Sequence, residues 1–293
     1  MKNEVKKNIF ALVLILVVFY FGYRSFSVEG FTININANFS SRSSEPVFMS
    51  AKETAKFIML DPDNYSHNLN IWDLIARHVA LEIDYRRRSA AASLDFTDGQ
   101  KKRILNAAKR VDKFFDTYRS NMSHESSYTN INGVDMNRIP WVFALTKDTK
   151  YEDGLPHTRA NIIFISTTID ETPENLFRIL VHEKVHLYQR LYPQETKNYL
   201  TSLGYFQWKY RQGVPRIRSN PDVDPWIYID PKTEAPMFSL YSSDKPTNIC
   251  DTINTSTSPS SPSLLTTNTY NDSAFEHPYE FMAYSIEKLA TSK

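Results

Sequence analysis

The strongest constraint in the sequence is one helix, which the pattern predicts between Thr172 and Pro193. Thr172 occupies the N-cap position, Pro173 the first helical position and Glu174 the first turn, while Pro193 marks the end. Apolar residues fall on nearly every side of this helix: Leu176, Ile179, Leu180, Val181, Val185, Leu187 and Leu191. Because a helix that is apolar nearly all round is buried, we expect it at the centre of a folded domain.

The same helix carries the motif H-E-x-x-H, from His182 to His186. Residues four apart lie one turn apart on the same face of a helix, so both imidazoles can reach one Zn²⁺ ion. Glu183 lies about 100° round the helix from His182, still beside the metal, where it can hold a zinc-activated water and take its proton. Two histidines and a glutamate in a buried helix need partners, and a metal ion provides them.

This segment resembles the active-site helix of the zincin metallopeptidases, a family of zinc-dependent hydrolases. The run Asn161 to Ser166 just upstream resembles the edge strand on which that family aligns an extended substrate. One departure is Lys184, because the first x of the motif is usually uncharged. On a helical wheel Lys184 falls roughly opposite the His182/Glu183/His186 face, so it would not block the metal but would leave part of the helix exposed.

The third zinc ligand distinguishes the subfamilies. The metzincin extension requires Gly at 189 and His at 192, where this chain has Gln189 and Tyr192. The gluzincin pattern places a Glu on a later helix as E-x-x-A, and Glu280 with Ala283 fits it in a helix that begins at Pro278. The resemblance therefore implies zinc held by His182, His186 and Glu280. The alternative third ligands are Glu195, Glu234, Glu276 and His277.

The resemblance implies a zinc metallopeptidase that hydrolyses peptide or protein substrates, with Glu183 as the catalytic base. Such enzymes stabilise the oxyanion with a Tyr, His or Arg, and no spacing rule chooses among the candidates His157, Arg218, Tyr228, Tyr241 and Tyr284. Asn220-Pro221-Asp222, followed by Trp226, indicates a turn and a core anchor. The alternatives are an inactive zinc-binding module and a structural membrane or envelope protein with an accidental motif.

The N-terminus predicts a membrane anchor. Lys2, Lys6 and Lys7 precede an uncharged, mostly apolar run that Arg24 closes, so residues 8–24 are expected to span the membrane. The lysines orient the N-terminus toward the cytoplasm, and the catalytic domain is then extracytoplasmic or lumenal. The alternative is a signal peptide cleaved near Ser27, which would release a secreted protein.

The remaining sequence predicts one domain of α+β class with a zincin-like fold and helices on its N-terminal side. Residues 1–29 form the cytoplasmic lysine cluster and anchor, 30–46 a polar linker, and 47–293 the catalytic domain, with a flexible Ser/Thr-rich loop over 251–273. Helices are expected from Ser50 to Leu60, from about Leu69 to Ala91, and after Thr97. The net charge of +1 indicates no nucleic-acid partner, and the single cysteine excludes an internal disulfide.

Overall fold

A five-stranded mixed sheet forms the centre of the computed structural model, which describes residues 45–121, 133–169, 171–254 and 276–292. Its strands are β1 (Val47–Phe48), β2 (Ser93–Leu94), β3 (Val142–Thr146), β4 (His157–Arg159) and β5 (Ile162–Ser166). Strands β3 and β5 pair in parallel and every residue in them is buried, as their β-branched and aromatic composition favours. Strands β1 and β2 pair with β3, and β4 pairs antiparallel with β5.

The described part of the chain contains eight α-helices: α1 (Ala51–Leu60), α2 (Ile71–Ala76), α3 (Glu82–Ala90), α4 (Asp98–Asn121), α5 (Gly133–Arg138), α6 (Pro173–Leu191), α7 (Pro193–Ser202) and α8 (Pro278–Thr291). Helix α6 corresponds to the predicted central helix, and it shares one apolar core with the sheet, α4 and α8. Met282, Ala283 and Ile286 of α8 are buried in that core. The fold thus combines helices with a mixed sheet, and α6 packs in one core with α4, α8 and the central sheet.

Two helix predictions on the N-terminal side have different outcomes. The capping box of Ser50 and Glu53 is present and α1 ends at Leu60, as predicted. The single helix expected from about Leu69 to Ala91 is wrong, because the chain breaks between α2 and α3. His78 adopts a left-handed backbone with φ of 54° at this break, and the side chain of Arg77 turns inward to a buried partner.

The predicted edge strand is also wrong in its position. Strand β5 lies between β3 and β4 in the sheet, so the edge is formed by β4. A strand that is buried on both faces has a continuous apolar sequence. The sequence of β5 alone therefore could not show that the shorter strand β4 pairs with its outer edge.

Two smaller sheets follow α6 and α7. Strands β6 (Phe206–Tyr210), β7 (Trp226–Ile229) and β8 (Pro236–Met237) form one, while β9 (Ser239–Tyr241) and β10 (Thr252–Asn254) form the other. Strand β10 corrects the prediction of a flexible tract from residue 251, because the tract begins as a paired strand. Residues 255–273 of that tract, the predicted anchor at 8–24 and linker residues 30–44 lie outside the described residues. Within the described ranges, no helix is long and apolar enough to cross a membrane.

A buried ion pair connects the N-terminal helices to the loop after β3. The guanidinium of Arg77 donates to both carboxylate oxygens of Glu152, which also accepts from the hydroxyls of Tyr65 and Tyr85. Burial by itself raises the pKa of the Glu152 carboxyl, but the charge and hydrogen bonds of Arg77 outweigh it and lower the pKa to about 2. The ionised carboxylate therefore stabilises the folded chain above its unfolded pKa of about 4.5.

We expect Glu152→Gln to lower the free energy of unfolding by about 3–5 kcal/mol at neutral pH, because it leaves the buried guanidinium unpaired. The difference from wild type should shrink as the pH falls from about 4.5 toward 2, where wild-type Glu152 becomes protonated. Urea unfolding at several pH values measures both effects. Asp84→Asn, which removes the exposed ion pair with Arg87, is the control and should change stability by less than about 1 kcal/mol. Equal effects of the two substitutions would contradict the conclusion that the buried Arg77–Glu152 ion pair stabilises the fold.

Candidate metal centre

The fold of α6 places the two histidines of the motif side by side. His182 and His186 lie one turn apart, with ring centroids separated by 4.7 Å and their Nε2 atoms by 3.0 Å. His186 is fully buried, and the side chain of His182 is 12% exposed. Both Nε2 atoms therefore point to one position in the interface between α6 and α8.

Helix α8 brings a carboxylate to the same position. Pro278 begins α8 as predicted, and His277 caps it by accepting a hydrogen bond from the backbone N–H of Tyr279. Glu280 lies in the first turn, with Oε2 at 3.3 Å from His182 Nε2 and 3.6 Å from His186 Nε2. The donor atoms of these three side chains all lie within 4.8 Å of one another, and no other such group exists among the described residues.

The tautomer of His186 follows from its hydrogen-bond chain. The carbonyl oxygen of Tyr279 can only accept, so the side-chain amide of Gln189 must donate to it, at 3.0 Å. This fixes Gln189 Oε1 toward His186 Nδ1, at 2.8 Å, and Nδ1 must then carry the proton. The Nε2 atom of neutral His186 is consequently left with a lone pair that faces His182 and Glu280.

His182 is oriented by a second carboxylate. Its Nδ1 lies 3.3 Å from Glu287 Oε2, and Arg178 donates two hydrogen bonds to the other oxygen of Glu287. Burial by itself lowers the pKa of the His182 imidazole, but Glu280 and Glu287 outweigh it and hold that pKa well above its usual range. The surroundings of the His182 imidazole therefore favour a positive charge at this point.

The second oxygen of Glu280 is held from outside α8. Asn220 Nδ2 donates to Glu280 Oε1 and to Glu276 Oε1, both at 2.7 Å. Glu276 is held in turn by Arg218 and by the hydroxyl of Ser239. Glu280 Oε1 is thus occupied by an amide, which leaves Oε2 directed at the histidines.

Glu183 lies beside the cluster and is 3% exposed. Its Oε2 atom is buried and makes no hydrogen bond to any residue that the structure describes. Burial raises the pKa of the Glu183 carboxyl well above its usual range, and the negative charge of Asp222 adds to the effect. His182, Glu183 and Glu280 line one cavity of about 350 Å³.

Lys184 faces away from the cavity, as the helical wheel predicts, but it is fully buried rather than exposed. Its Nζ donates to the carbonyl oxygen of Ile139 at 2.6 Å and lies 3.8 Å from the ring centroid of Trp141. Burial lowers the pKa of the Lys184 amine to about 7. The expectation that this lysine leaves part of the helix exposed is therefore wrong, because a carbonyl and an aromatic face replace water around it.

The alternative third ligands lie elsewhere. Glu195 and Glu234 are exposed on α7 and in the turn before β8. Glu276 is engaged by Arg218, Ser239 and Asn220, and His277 caps α8 with its Nε2 within 3.2 Å of Asp224.

The candidate oxyanion residues divide into two sets. His157, Arg218 and Tyr284 line the cavity, whereas Tyr228 and Tyr241 do not. Tyr284 packs edge-on against the His182 ring, at 4.5 Å between centroids. Nδ1 of His157 contacts the carbonyl oxygen of Leu155 at 2.9 Å, while its buried Nε2 has no hydrogen-bond partner in the described ranges. The structure thus places His157 at the start of the edge strand β4.

Three residues of the site were not identified from the sequence in these roles. Gln189 lies three residues after His186 and Glu287 seven after Glu280, so helical spacing could have suggested both. Asp222 belongs to the Asn220-Pro221-Asp222 segment, which was interpreted as a turn. Only the fold brings that segment to Glu183 and Glu280.

The donor set fits a divalent metal ion. Two imidazole nitrogens and one carboxylate oxygen converge. The other ring nitrogen of His186 contacts Gln189 Oε1, and that of His182 lies 3.3 Å from Glu287 Oε2 without hydrogen-bond geometry. Metal-ligating histidines almost always have an acceptor near this second nitrogen. Two neutral Nε2 lone pairs 3.0 Å apart repel each other unless a cation or a proton lies between them. The arrangement can therefore hold a metal beside a buried carboxylate and an open cavity.

Comparison with known proteins gives no relative. No protein-family model matches the chain, and neither a curated protein nor a solved structure matches it significantly.

We expect Gln189→Ala to weaken metal binding about 10–100-fold, because loss of an orienting partner frees the ring of a ligand histidine. Competition with a chromogenic chelator measures the dissociation constant, and circular dichroism checks that the variant remains folded. Gln194→Ala is the control, since Gln194 is exposed on α7 and bonds only to Asn198 among the contacts described. Unchanged affinity in folded Gln189→Ala would rule out this chain of hydrogen bonds as the orienting device.

Proposed function

We propose that this chain is a zinc-dependent metallopeptidase in which His182, His186 and Glu280 hold the metal and Glu183 is the catalytic base. The observation that carries the proposal is the convergence of two Nε2 atoms and Glu280 Oε2 beside the unpartnered carboxylate oxygen of Glu183. A site that only stabilises the fold needs no such carboxylate, and structural zinc sites are closed by a fourth protein ligand.

The donor types favour zinc over the other common divalent ions. Imidazole nitrogen suits zinc, whereas magnesium and calcium prefer oxygen ligands throughout. Three protein ligands leave a coordination position open, as in catalytic zinc sites. Bound zinc would supply Lewis-acid polarisation of a carbonyl and would lower the pKa of a water molecule.

The chain's own residues would then perform the acid–base work. Glu183 lines the same cavity as His182 and Glu280. Its Oε2 has no hydrogen-bond partner among the described residues, so it can accept a proton from water without breaking a hydrogen bond that the structure describes. His157 also lines the cavity, and its buried Nε2 has no hydrogen-bond partner among the described residues. Because burial lowers the pKa of the His157 imidazole and its Nδ1 donates to Leu155, this Nε2 could accept a hydrogen bond from a substrate N–H.

The peptide substrate is supported by the resemblance of the motif to the zincin family and of the Glu280 segment to its gluzincin branch. The zincin-like fold is proposed on the same ground. Phosphoester substrates have no such support, because the cavity is lined by more carboxylates than cations.

We expect about one zinc ion per purified wild-type chain by elemental analysis, and a large loss of zinc in both His186→Ala and Glu280→Ala, because each removes one of three protein ligands. Glu183→Gln should retain the zinc but lose peptide hydrolysis by about a hundredfold or more, since it removes the base and keeps the shape of the side chain. Zinc-loaded wild type is the positive control. Glu195→Gln, an exposed acid on α7, is the matched negative control.

The outcomes separate three possibilities. Zinc without hydrolysis of any peptide would leave an inactive zinc-binding module. Zinc retained in Glu280→Ala would contradict the assignment of the third ligand. A folded wild-type chain that takes up no supplied zinc would refute the proposal of a zinc-dependent metallopeptidase.

We also propose that residues 8–24 anchor the chain in a membrane. The support is the uncharged, mostly apolar run between Lys7 and Arg24. We expect the expressed full chain to stay in the membrane pellet after extraction at alkaline pH. Recovery of a soluble protein whose mass corresponds to cleavage near Ser27 would instead support the secreted form.

A further inference from the structure

The outer edge of the central sheet is closed by side chains. Thr158 is the middle residue of β4, and its backbone N–H donates to Asp222 Oδ1 at 2.5 Å. Its carbonyl oxygen accepts from Arg190 Nη2 at 3.1 Å. Because alternate residues of an edge strand direct both backbone groups away from the sheet, Thr158 is the residue of β4 that would pair with an added strand.

The residues two positions before and after Thr158 cannot replace its backbone hydrogen bonds to an added strand. Pro156 precedes β4 and has no N–H to donate. Ala160 follows β4 with a φ of 50°, so the extended conformation ends there. An incoming peptide therefore cannot pair with this edge unless it displaces Asp222 and Arg190 from Thr158.

The segment that closes the edge is firmly held. In the 218–222 segment, Arg218 to Asp222, the N–H of Ser219 donates to Asp73 at 2.9 Å and the N–H of Asp222 donates to Asn220 Oδ1 at 2.8 Å. Arg190 donates to the carbonyl oxygen of Pro221. These contacts involve α2, α6 and the Glu280 carboxylate together, so the segment is a fixed wall and not a loose lid.

The same segment divides two cavities. Asn220 and Pro221 line both the 350 Å³ cavity at the metal cluster and a neighbouring cavity of about 680 Å³. The smaller volume is at the lower end of the roughly 300–1,000 Å³ typical of small-molecule pockets. The 218–222 segment thus separates the two cavities, and a peptide bound beside Glu183 cannot extend directly from one into the other.

We propose that Asp222 and Arg190 are specificity-determining residues, which restrict the enzyme to short peptides by occupying the backbone groups of the edge strand. This inference rests on the proposed peptidase function. A peptide of a few residues fits the cavity without the edge, whereas a longer one must either end at the 218–222 segment or displace Asp222.

The test is the dependence of kcat/KM on peptide length in the zinc-loaded full chain. We expect wild type to cleave a peptide of about four residues about tenfold more efficiently than one of about ten residues with the same central sequence. The longer peptide must displace Asp222 and Arg190 from the backbone of Thr158, whereas the shorter one need not. Asp222→Ala exposes the Thr158 N–H and should bring this ratio close to one.

The matched variant is Asp222→Asn, which retains an acceptor oxygen for the Thr158 N–H but loses the charge. Both variants remove the negative charge of Asp222 from the surroundings of Glu183, so the comparison between them tests the acceptor oxygen that only Asn retains. Asp222→Asn should keep the wild-type length ratio. Hydrogen exchange of the peptide covering residues 155–160 should be slow in wild type and Asp222→Asn and faster in Asp222→Ala.

The possible outcomes separate the specificity proposal, the role of Asp222 and the peptidase function. Equal efficiency of wild type on both lengths, with hydrolysis lost in Glu183→Gln, would overturn the specificity proposal and leave the peptidase intact. Equal length ratios in folded Asp222→Ala and Asp222→Asn would overturn the role of Asp222. Zinc binding without hydrolysis at any length would overturn the peptidase and this inference together.

Discussion

The interface between α6 and α8 is the constraint on which the rest of this structure depends. It buries two imidazoles and the carboxylates of Glu183, Glu280 and Glu287 in a region whose remaining surface is apolar. An isolated charge in such a place is strongly unfavourable. The interface is stable because most of these groups are matched with specific partners, which come from several separate parts of the chain.

This requirement explains why polar residues outside the motif take the positions they do. Gln189 joins His186 to the backbone of α8, Arg178 neutralises Glu287, and Asn220 holds the oxygen of Glu280 that faces away from the histidines. The buried Oε2 of Glu183 accepts no hydrogen bond from any residue in the described ranges. An orphaned buried carboxylate beside three converging donors is a feature that a purely structural role would not require.

Regular local patterns predicted the elements, and their failures have physical causes. The helix from Pro173 and the start of α8 at Pro278 follow from the proline in the first turn and from apolar periodicity, which act within a few residues. The break between α2 and α3 could not be predicted, because it depends on Arg77 reaching Glu152, 75 residues away. For the same reason the sequence misjudged Lys184, whose acceptor at Ile139 and aromatic neighbour Trp141 belong to another part of the chain.

The sequence by itself determined the spacing of His182, Glu183 and His186 on one buried helix and offered Glu280 as a third donor, because i, i+4 geometry is a property of any α-helix. Tertiary structure alone brought Glu280 within 3.6 Å of both histidines and placed β4, not β5, at the edge of the sheet. It alone set Asp222 against Thr158. Such contacts join residues tens of positions apart, and local sequence pattern carries no information about which distant segments will meet.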